Sequence, residues 1–232
     1  MDDIPILSFY KKAGSVVEAL DIMVLDTQPV ARAGTISLLS GITGVRIPRE
    51  AESAAAAWSM LAKARPDLLI LELNLNGPSG LDFVRQAREH YGDLKLLVFS
   101  AYPEEWYADR AVRAGAMGYV MKSAEPAILV AAVRQIARGQ VFVSPLVSEL
   151  IVSRLHASGR NHADPAVSLS DRELEVFLLI GQGFGTSEIA RRLRVSVSSI
   201  ESYRAGIKRK LELKNSAQLV HAAVTRVVSR GQ

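Results

Sequence analysis

The chain has 232 residues, 49% apolar and 22% charged, the proportions of a soluble globular protein with enough apolar residues for one or two buried cores. It has no cysteine, which excludes structural disulfides and thiolate metal sites, and no apolar run of about 18 residues or signal peptide, so a cytoplasmic location is expected. The net charge of +4 is uneven: from Ser168 onward there are 11 Lys and Arg against 6 Asp and Glu, with 17 against 18 elsewhere, so a polyanionic partner is expected for the C-terminal end alone.

Residues 1–19 fit no regular pattern and are set aside as an N-terminal extension or tag; the string Tyr10-Lys11-Lys12-Ala13-Gly14 has the look of a cloning scar. From there short apolar runs alternate with helical periodicity. Asp21–Asp26 is a strand ending in an acid, and Pro29–Leu39 a helix with Val30, Ala33, Leu38 and Leu39 inward. A second strand is expected over Gly41–Arg49 and an alanine-rich helix over Ala51–Ala64. Pro66–Leu73 is the most apolar strand and again ends in an acid. Leu81–His90 is helical, Leu94–Ser100 a strand, Glu104–Gly115 a helix, Gly118–Lys122 a strand and Pro126–Arg138 a helix. Five β/α alternations imply a doubly wound parallel sheet over 20–140 with its site at the strand C-termini.

Those strand ends deliver Asp26, Glu72, Ser100 and Lys122 to one edge. With the run Arg113–Lys122 (RAGAMGYVMK), the arrangement resembles a response-regulator receiver domain, a flavodoxin-like fold, over Asp21–Gly139. The resemblance implies that Glu72 stands at the phospho-acceptor position. Asp26-Thr27 would then hold the position of the magnesium-binding acidic pair, Ser100 that of the switch hydroxyl, Tyr119 that of the switch aromatic and Lys122 that of the invariant lysine. The chain departs from that pattern in two ways: Thr27 replaces the second acid, and Glu72 is one methylene longer than Asp. In-line attack tolerates little misplacement, about 10²-fold for ~1 Å, so phosphorylation at Glu72 is not expected. Two readings of Glu72 stay open. In one its carboxylate stands in for the phosphoryl charge, paired with Lys122 and holding Ser100 and Tyr119 inward; in the other, Glu72 and Lys122 are a silent ion pair. A third possibility is a pocket that answers a small ligand or a partner protein.

Residues 141–167 are expected to be a helix starting near Pro145, with Leu146, Leu150 and Ile151 on one side, then a polar linker from His156 to Val167. His156 and His162 are too far apart for a one-turn ligand pair, and no metal or other cofactor is expected. In 168–232, Ser170-x-x-Glu173 forms a capping box, with Leu174, Phe177 and Leu178 facing a core. Thr186 caps a short helix with Ile189, Ala190 and Leu193 inward. Val195–Ser198 breaks it, and a second helix begins at Ser198 with Ile200, Ile207 and Leu211 on one face and Ser199, Ser202, Arg204, Lys208 and Arg209 on the other. A short helix buttressing a second one with a polar, cationic face is how a helix-turn-helix meets the major groove.

The run Leu169–Val220 resembles the four-helix DNA-binding domain of the LuxR/FixJ/NarL regulators, through Leu-Ser-x-Arg-Glu-x-Glu-Val, Glu-Ile-Ala, and Ser-x-x-Ser-Ile-Glu-Ser-Tyr-Arg. The resemblance implies double-stranded DNA as partner and a homodimer on paired half-sites, joined through the receiver at its 104–138 face. The expected DNA-contacting residues are Ser199, Glu201, Ser202, Tyr203, Arg204, Lys208 and Arg209. Arg204 would reach a guanine edge or a phosphate, Glu201 would accept from a cytosine amino group or brace the helix, and Lys208 and Arg209 would clamp phosphates. The chain is therefore read as a phosphorylation-independent transcriptional regulator. Two rivals are a protein-interaction adaptor and an enzyme; against the enzyme, the pocket has no His or Cys and too few acids for a metal centre.

Overall fold

A computed structural model of the chain describes residues 19–156 and 168–228. The N-terminal extension up to residue 18, the linker residues 157–167 with His162, and the side chains of Leu150 and Ile151 lie outside the described residues. The chain divides between Leu155 and His156 into two compact units.

The first unit is a five-stranded, all-parallel sheet in the order β2-β1-β3-β4-β5. The strands are β1 (Leu20–Leu25), β2 (Val45–Ala51), β3 (Leu68–Leu71), β4 (Lys95–Ser100) and β5 (Gly118–Met121). Helices α1 (Pro29–Ser40), α2 (Ala54–Lys63), α3 (Gly80–His90), α4 (Glu104–Ala114) and α5 (Pro126–Ala137) alternate with them, followed by α6 (Pro145–His156). The central strand β3 is apolar throughout because helices cover both faces of the sheet, and every one of its residues is buried. β2 is an edge strand, and it alternates between half-buried and exposed residues and carries Pro48, Arg46, Arg49 and Glu50, which discourage further strand pairing.

Local chemistry sets the helix ends. Ser53 and Ser79 accept from the backbone N–H groups of Ala56 and Asp82 at the starts of α2 and α3. Pro29 and Pro126 stand in the first turns of α1 and α5, where a missing N–H costs nothing. Gly115 ends α4 in the left-handed region at φ 110°. α1 departs from the expected facing. Thr35 and Leu39 point inward, whereas Val30 is 87% exposed and Ala33 is exposed, because at about 100° per residue both lie about 140–160° around the helix from Thr35.

The second unit is all-helical: α7 (Asp171–Gly181), α8 (Thr186–Leu193), α9 (Val197–Lys210) and α10 (Ser216–Val228). α7 is buried along nearly its whole length from Glu173 to Ile180, the central element on which α9 and α10 pack. Gly181 allows the close approach of α10: a Cβ there would lie 2.5 Å from the Ala223 carbonyl oxygen. Two cap positions differ from expectation by one or two residues. Gly185, not Thr186, is the N-cap of α8, and Ser196, not Ser198, caps α9 by accepting from Ser199 N at 3.1 Å. The β-branched Val197 is therefore the first residue of α9, a position where χ1 crowding against a preceding turn does not arise.

Candidate functional site

Two sites follow from the fold, one in each unit. In the first, strand order reverses direction between β1 and β3, leaving a crevice at the strand C-termini. The ladder continues one residue past each strand: Glu72 N donates to the Leu25 carbonyl at 2.9 Å, Asp26 N to Ala51 at 3.1 Å and Lys122 N to Ser100 at 2.8 Å. The backbones of the three charged residues are thus held by the sheet, and their side chains converge. Lys122 Nζ lies 2.6 Å from Asp26 Oδ2 and 2.8 Å from Glu72 Oε2.

Glu72 is saturated with donors. Its Oε1 accepts the Ser100 hydroxyl and the backbone N–H groups of Leu73 (2.6 Å) and Asn74 (3.2 Å), and its Oε2 accepts Ala101 N at 3.3 Å. Asp26 Oδ1 accepts Gln28 N at 2.8 Å, and the Thr27 hydroxyl donates to the Asn74 carbonyl at 3.1 Å. Asp26, Glu72 and Ser100 are all buried. Tyr119 is also buried, and its hydroxyl donates to the Tyr102 carbonyl at 2.7 Å, while Tyr102 N donates to Ser100 Oγ at 3.2 Å. A continuous chain of hydrogen bonds therefore runs from Glu72 through Ser100 and Tyr102 to Tyr119.

Burial works to lower the Lys122 pKa, but the Glu72 carboxylate, followed by the hydrogen bonds to Asp26 and Glu72, outweighs it, and the ammonium is held above its ordinary value. Burial raises the Tyr119 phenol well above its usual range, with the negative charge of Glu72 adding to the effect. The structure brings Asp26, Glu72, Ser100 and Lys122 into direct contact, sets Thr27 beside them on the Asn74 carbonyl, and links Tyr119 to them through Tyr102. The backbone donors Leu73, Asn74 and Ala101 were not foreseen, since a backbone N–H leaves no mark in residue type.

The second site is the outer side of α9. At about 100° per residue, Arg204 falls about 40° from Ile200, on the flank of the apolar face rather than opposite it. Its side chain is only 14% exposed, with Nε 3.9 Å from Glu201 Oε2, a loose pairing. Ser199 and Lys208 are likewise partly buried, as is Tyr203. The exposed stripe is Ser198, Glu201, Ser202, Ala205 and Arg209, with Val197 exposed at its N-terminal end. The expected contact set is thus divided: Glu201, Ser202 and Arg209 are exposed, and Ser199, Tyr203, Arg204 and Lys208 are half-buried. A helical-wheel count from Ile200 and Ile207 was the signal that places Arg204.

The rear of α9 is locked to α7. Glu173 accepts Ser170 N at 2.7 Å in the capping box and pairs with Lys210 Nζ at 2.6 Å, and its carboxylate fills the space beside Gly206 that a Cβ would occupy. Burial would raise the Glu173 pKa, but the bonds from Lys210 and Ser170 prevail and hold it below the usual value. Arg192 of α8 lies over the Phe184 ring, 3.8 Å from its centroid.

Among the described residues no group of His, Cys, Asp and Glu is arranged to hold a metal ion, and no helix is long and apolar enough to cross a membrane.

Residues 22–134 match the model of the response regulator receiver domain, and residues 167–223 that of bacterial regulatory proteins of the luxR family. The chain is 32% identical over 210 residues to the oxygen regulatory protein NreC of Staphylococcus carnosus, covering 88% of this chain and 97% of that protein. It is 33% identical over 207 residues to the transcriptional activator protein ExaE of Pseudomonas putida, covering 88% and 96%. The fold is similar to that of the Salmonella typhimurium response regulator RcsB, with a TM-score of 0.66 at 23% identity over 90% of this chain and 98% of that one. A receiver sheet followed by a luxR-type helical unit, matched over nearly the full length of such relatives, assigns the chain: it belongs to the NarL/FixJ family and is a DNA-binding response regulator of the luxR type.

Proposed function

We propose that this chain is a sequence-specific transcriptional regulator that binds DNA as a homodimer without being phosphorylated. In this reading the Glu72 carboxylate takes the part that a phosphoryl group plays elsewhere in the family. The observation that carries it is the hydrogen bond from the Ser100 hydroxyl to Glu72, continued through Tyr102 to a Tyr119 that is 1% exposed. A carboxylate that already engages the switch hydroxyl and pairs with Lys122 biases the receiver toward one arrangement with no donor needed.

The donor set supports the same reading. Magnesium requires near-octahedral oxygen ligands and holds its waters tightly. Here the two carboxylates share one ammonium, 2.6 and 2.8 Å away, and Thr27, which carries no charge, has its hydroxyl turned to a backbone carbonyl. This pocket does not fit the ion, and no phosphoryl-transfer step is derived through it. The exposed α9 stripe and the +5 charge of the C-terminal unit supply the DNA surface. The dimer would form through the 104–138 face, where Ile128 is 43% exposed.

The test is binding of the untreated full-length protein to duplex DNA from its own upstream region, titrated across salt, with Glu72→Ala and Arg209→Ala alongside. Tight, salt-sensitive binding with no phosphodonor, weakened in both variants, is the expected result. Binding that requires an acyl phosphate, or that Glu72→Ala leaves unchanged, would overturn the role of Glu72.

A second reading, a ligand-responsive receiver, draws on a cavity of about 220 Å³ lined by Ala31, Gly34, Leu38, Phe99, Pro126 and Lys122, so that an occupant would touch a residue of the acidic pocket.

A further inference from the structure

The exposed stripe of α9 has an unusual chemical balance for a surface that meets DNA. Ser198, Glu201, Ser202, Ala205 and Arg209 fall at i, i+3, i+4, i+7 and i+11, one continuous outer face, with Val197, 49% exposed, in the first turn. The hydroxyls are largely engaged within the helix. Ser202 Oγ donates to the Ser198 carbonyl at 3.0 Å, and Ser196 Oγ lies 2.8 Å from both Ser198 Oγ and Ser199 Oγ. Arg204 is drawn back against the apolar flank. What remains outward in about the first two and a half turns is one acceptor-only carboxylate, Glu201, and two apolar side chains, Val197 and Ala205; the exposed strong donors, Arg209 and Lys210, lie at the C-terminal end, beside a half-buried Lys208.

In the major groove, purines present N7 and O6 acceptors, or N7 beside an amino group, whereas cytosine offers an isolated N4 amino donor and thymine its C5 methyl. A carboxylate against adenine would meet the N7 lone pair, so cytosine is its better partner. Alanine and valine match the thymine methyl. Val197, Glu201 and Ala205 are therefore each complementary to a pyrimidine edge, and the engaged serine hydroxyls add no preference of their own.

We propose that α9 reads a pyrimidine-rich strand, with Glu201 accepting from a cytosine N4 amino group and Ala205 and Val197 packing on thymine C5 methyls. The inference rests on the DNA-binding reading above and deepens it. Val197 and Ala205 are eight residues apart, about 12 Å along the helix, so the two thymines are separated by several base-pair steps. Glu201 lies midway between them along the helix.

The experiment begins by selecting duplexes from a random pool with the full-length protein. Anisotropy titrations then use the selected duplex with each thymine replaced in turn by uracil, which removes only the methyl. Uracil at one or two positions should weaken the wild type about fourfold each, from the hydration of one lost methyl. Ala205→Ser and Val197→Ser should each become indifferent to one of those replacements. Glu201→Gln, whose amide both donates and accepts, should lose about tenfold or more on the selected cytosine and gain preference for adenine there. These residues are exposed, and an unchanged circular dichroism spectrum will show that the variants fold. Sequence-preferring binding that is insensitive to every uracil, with Glu201→Gln selecting the same bases, would overturn the inference while leaving the DNA-binding reading intact. Failure to select any preferred duplex would overturn both.

Discussion

Replacing Lys122 by Met removes an ammonium that two buried carboxylates share, with a side chain of comparable length left in its place. In the native protein Nζ sits 2.6 Å from Asp26 and 2.8 Å from Glu72; the Asp26 and Glu72 side chains are 4% and 1% exposed, and that of Lys122 14%. Removing one partner from a buried ion pair costs about 3–5 kcal/mol, because the remaining charge cannot be solvated. With a urea m-value of about 2 kcal/mol/M for a domain of this size, the midpoint should fall by about 1.5–2.5 M. The assay is well suited to the receiver alone, since both tryptophans, Trp58 and Trp106, lie in the first unit and their fluorescence reports its unfolding. Adding Glu72→Gln to Lys122→Met should recover part of the loss, since the double variant no longer buries two like charges, and the non-additivity should be about 0.5–3 kcal/mol. A loss below about 1 kcal/mol, the value of a solvent-screened surface pair, with strictly additive variants, would refute the claim that this triad is a desolvated unit.

The Lys122 and Tyr119 pKa values are both raised in the folded state, so their contribution to stability is complete below their unfolded values, about 10, and is lost as pH rises through the folded ones. Urea midpoints between pH 9 and 11.5 should therefore fall steeply in the wild type and less steeply in Lys122→Met. Glu173 has the opposite sign: its lowered pKa gives stability that is present above about pH 4.3 and lost as pH falls through the folded value, so Lys210→Met should flatten the acid limb of a thermal melt of the helical unit. Gly181→Ala would press a Cβ to 2.5 Å from the Ala223 carbonyl oxygen and 2.6 Å from Val227 Cγ2, and should destabilise the α7–α10 packing by about 1–3 kcal/mol, read as a lower melting temperature. Arg209→Ala should weaken DNA binding on all sequences alike and lower the salt slope by about 1, whereas Arg204→Ala, acting on a side chain drawn toward the core, should cost helical stability as well as affinity.

What was legible in the sequence is what local chemistry decides. Apolar runs of strand length alternating with 3.6-residue periodicity gave five strands and their helices, in places to the residue, because each element's burial pattern is written in its own side chains. The capping box at Ser170 and Glu173 was legible for the same reason. Four of the pocket residues, Asp26, Glu72, Ser100 and Lys122, followed from strand ends: once the strands are parallel, their C-terminal ends arrive at the same edge, whereas Thr27 and Tyr119 were identified through the resemblance to receiver domains.

Tertiary structure decided orientation. Glu72 was identifiable as a long carboxylate at an acceptor position, but only the fold brings Ser100 and the Ala101 N–H from the end of β4, and Lys122 from the end of β5, around it. On α9 Arg204 lies on the flank of the apolar face, not opposite it as expected, and packing on α7 leaves its side chain 14% exposed while Ala205 and Arg209 are exposed. Val30 failed for the same reason, an apolar side chain left on the outside by where α1 meets the sheet. A sequence specifies which residues can share a face, but the direction of that face is a property of the neighbours it packs against, and those come from elsewhere in the chain.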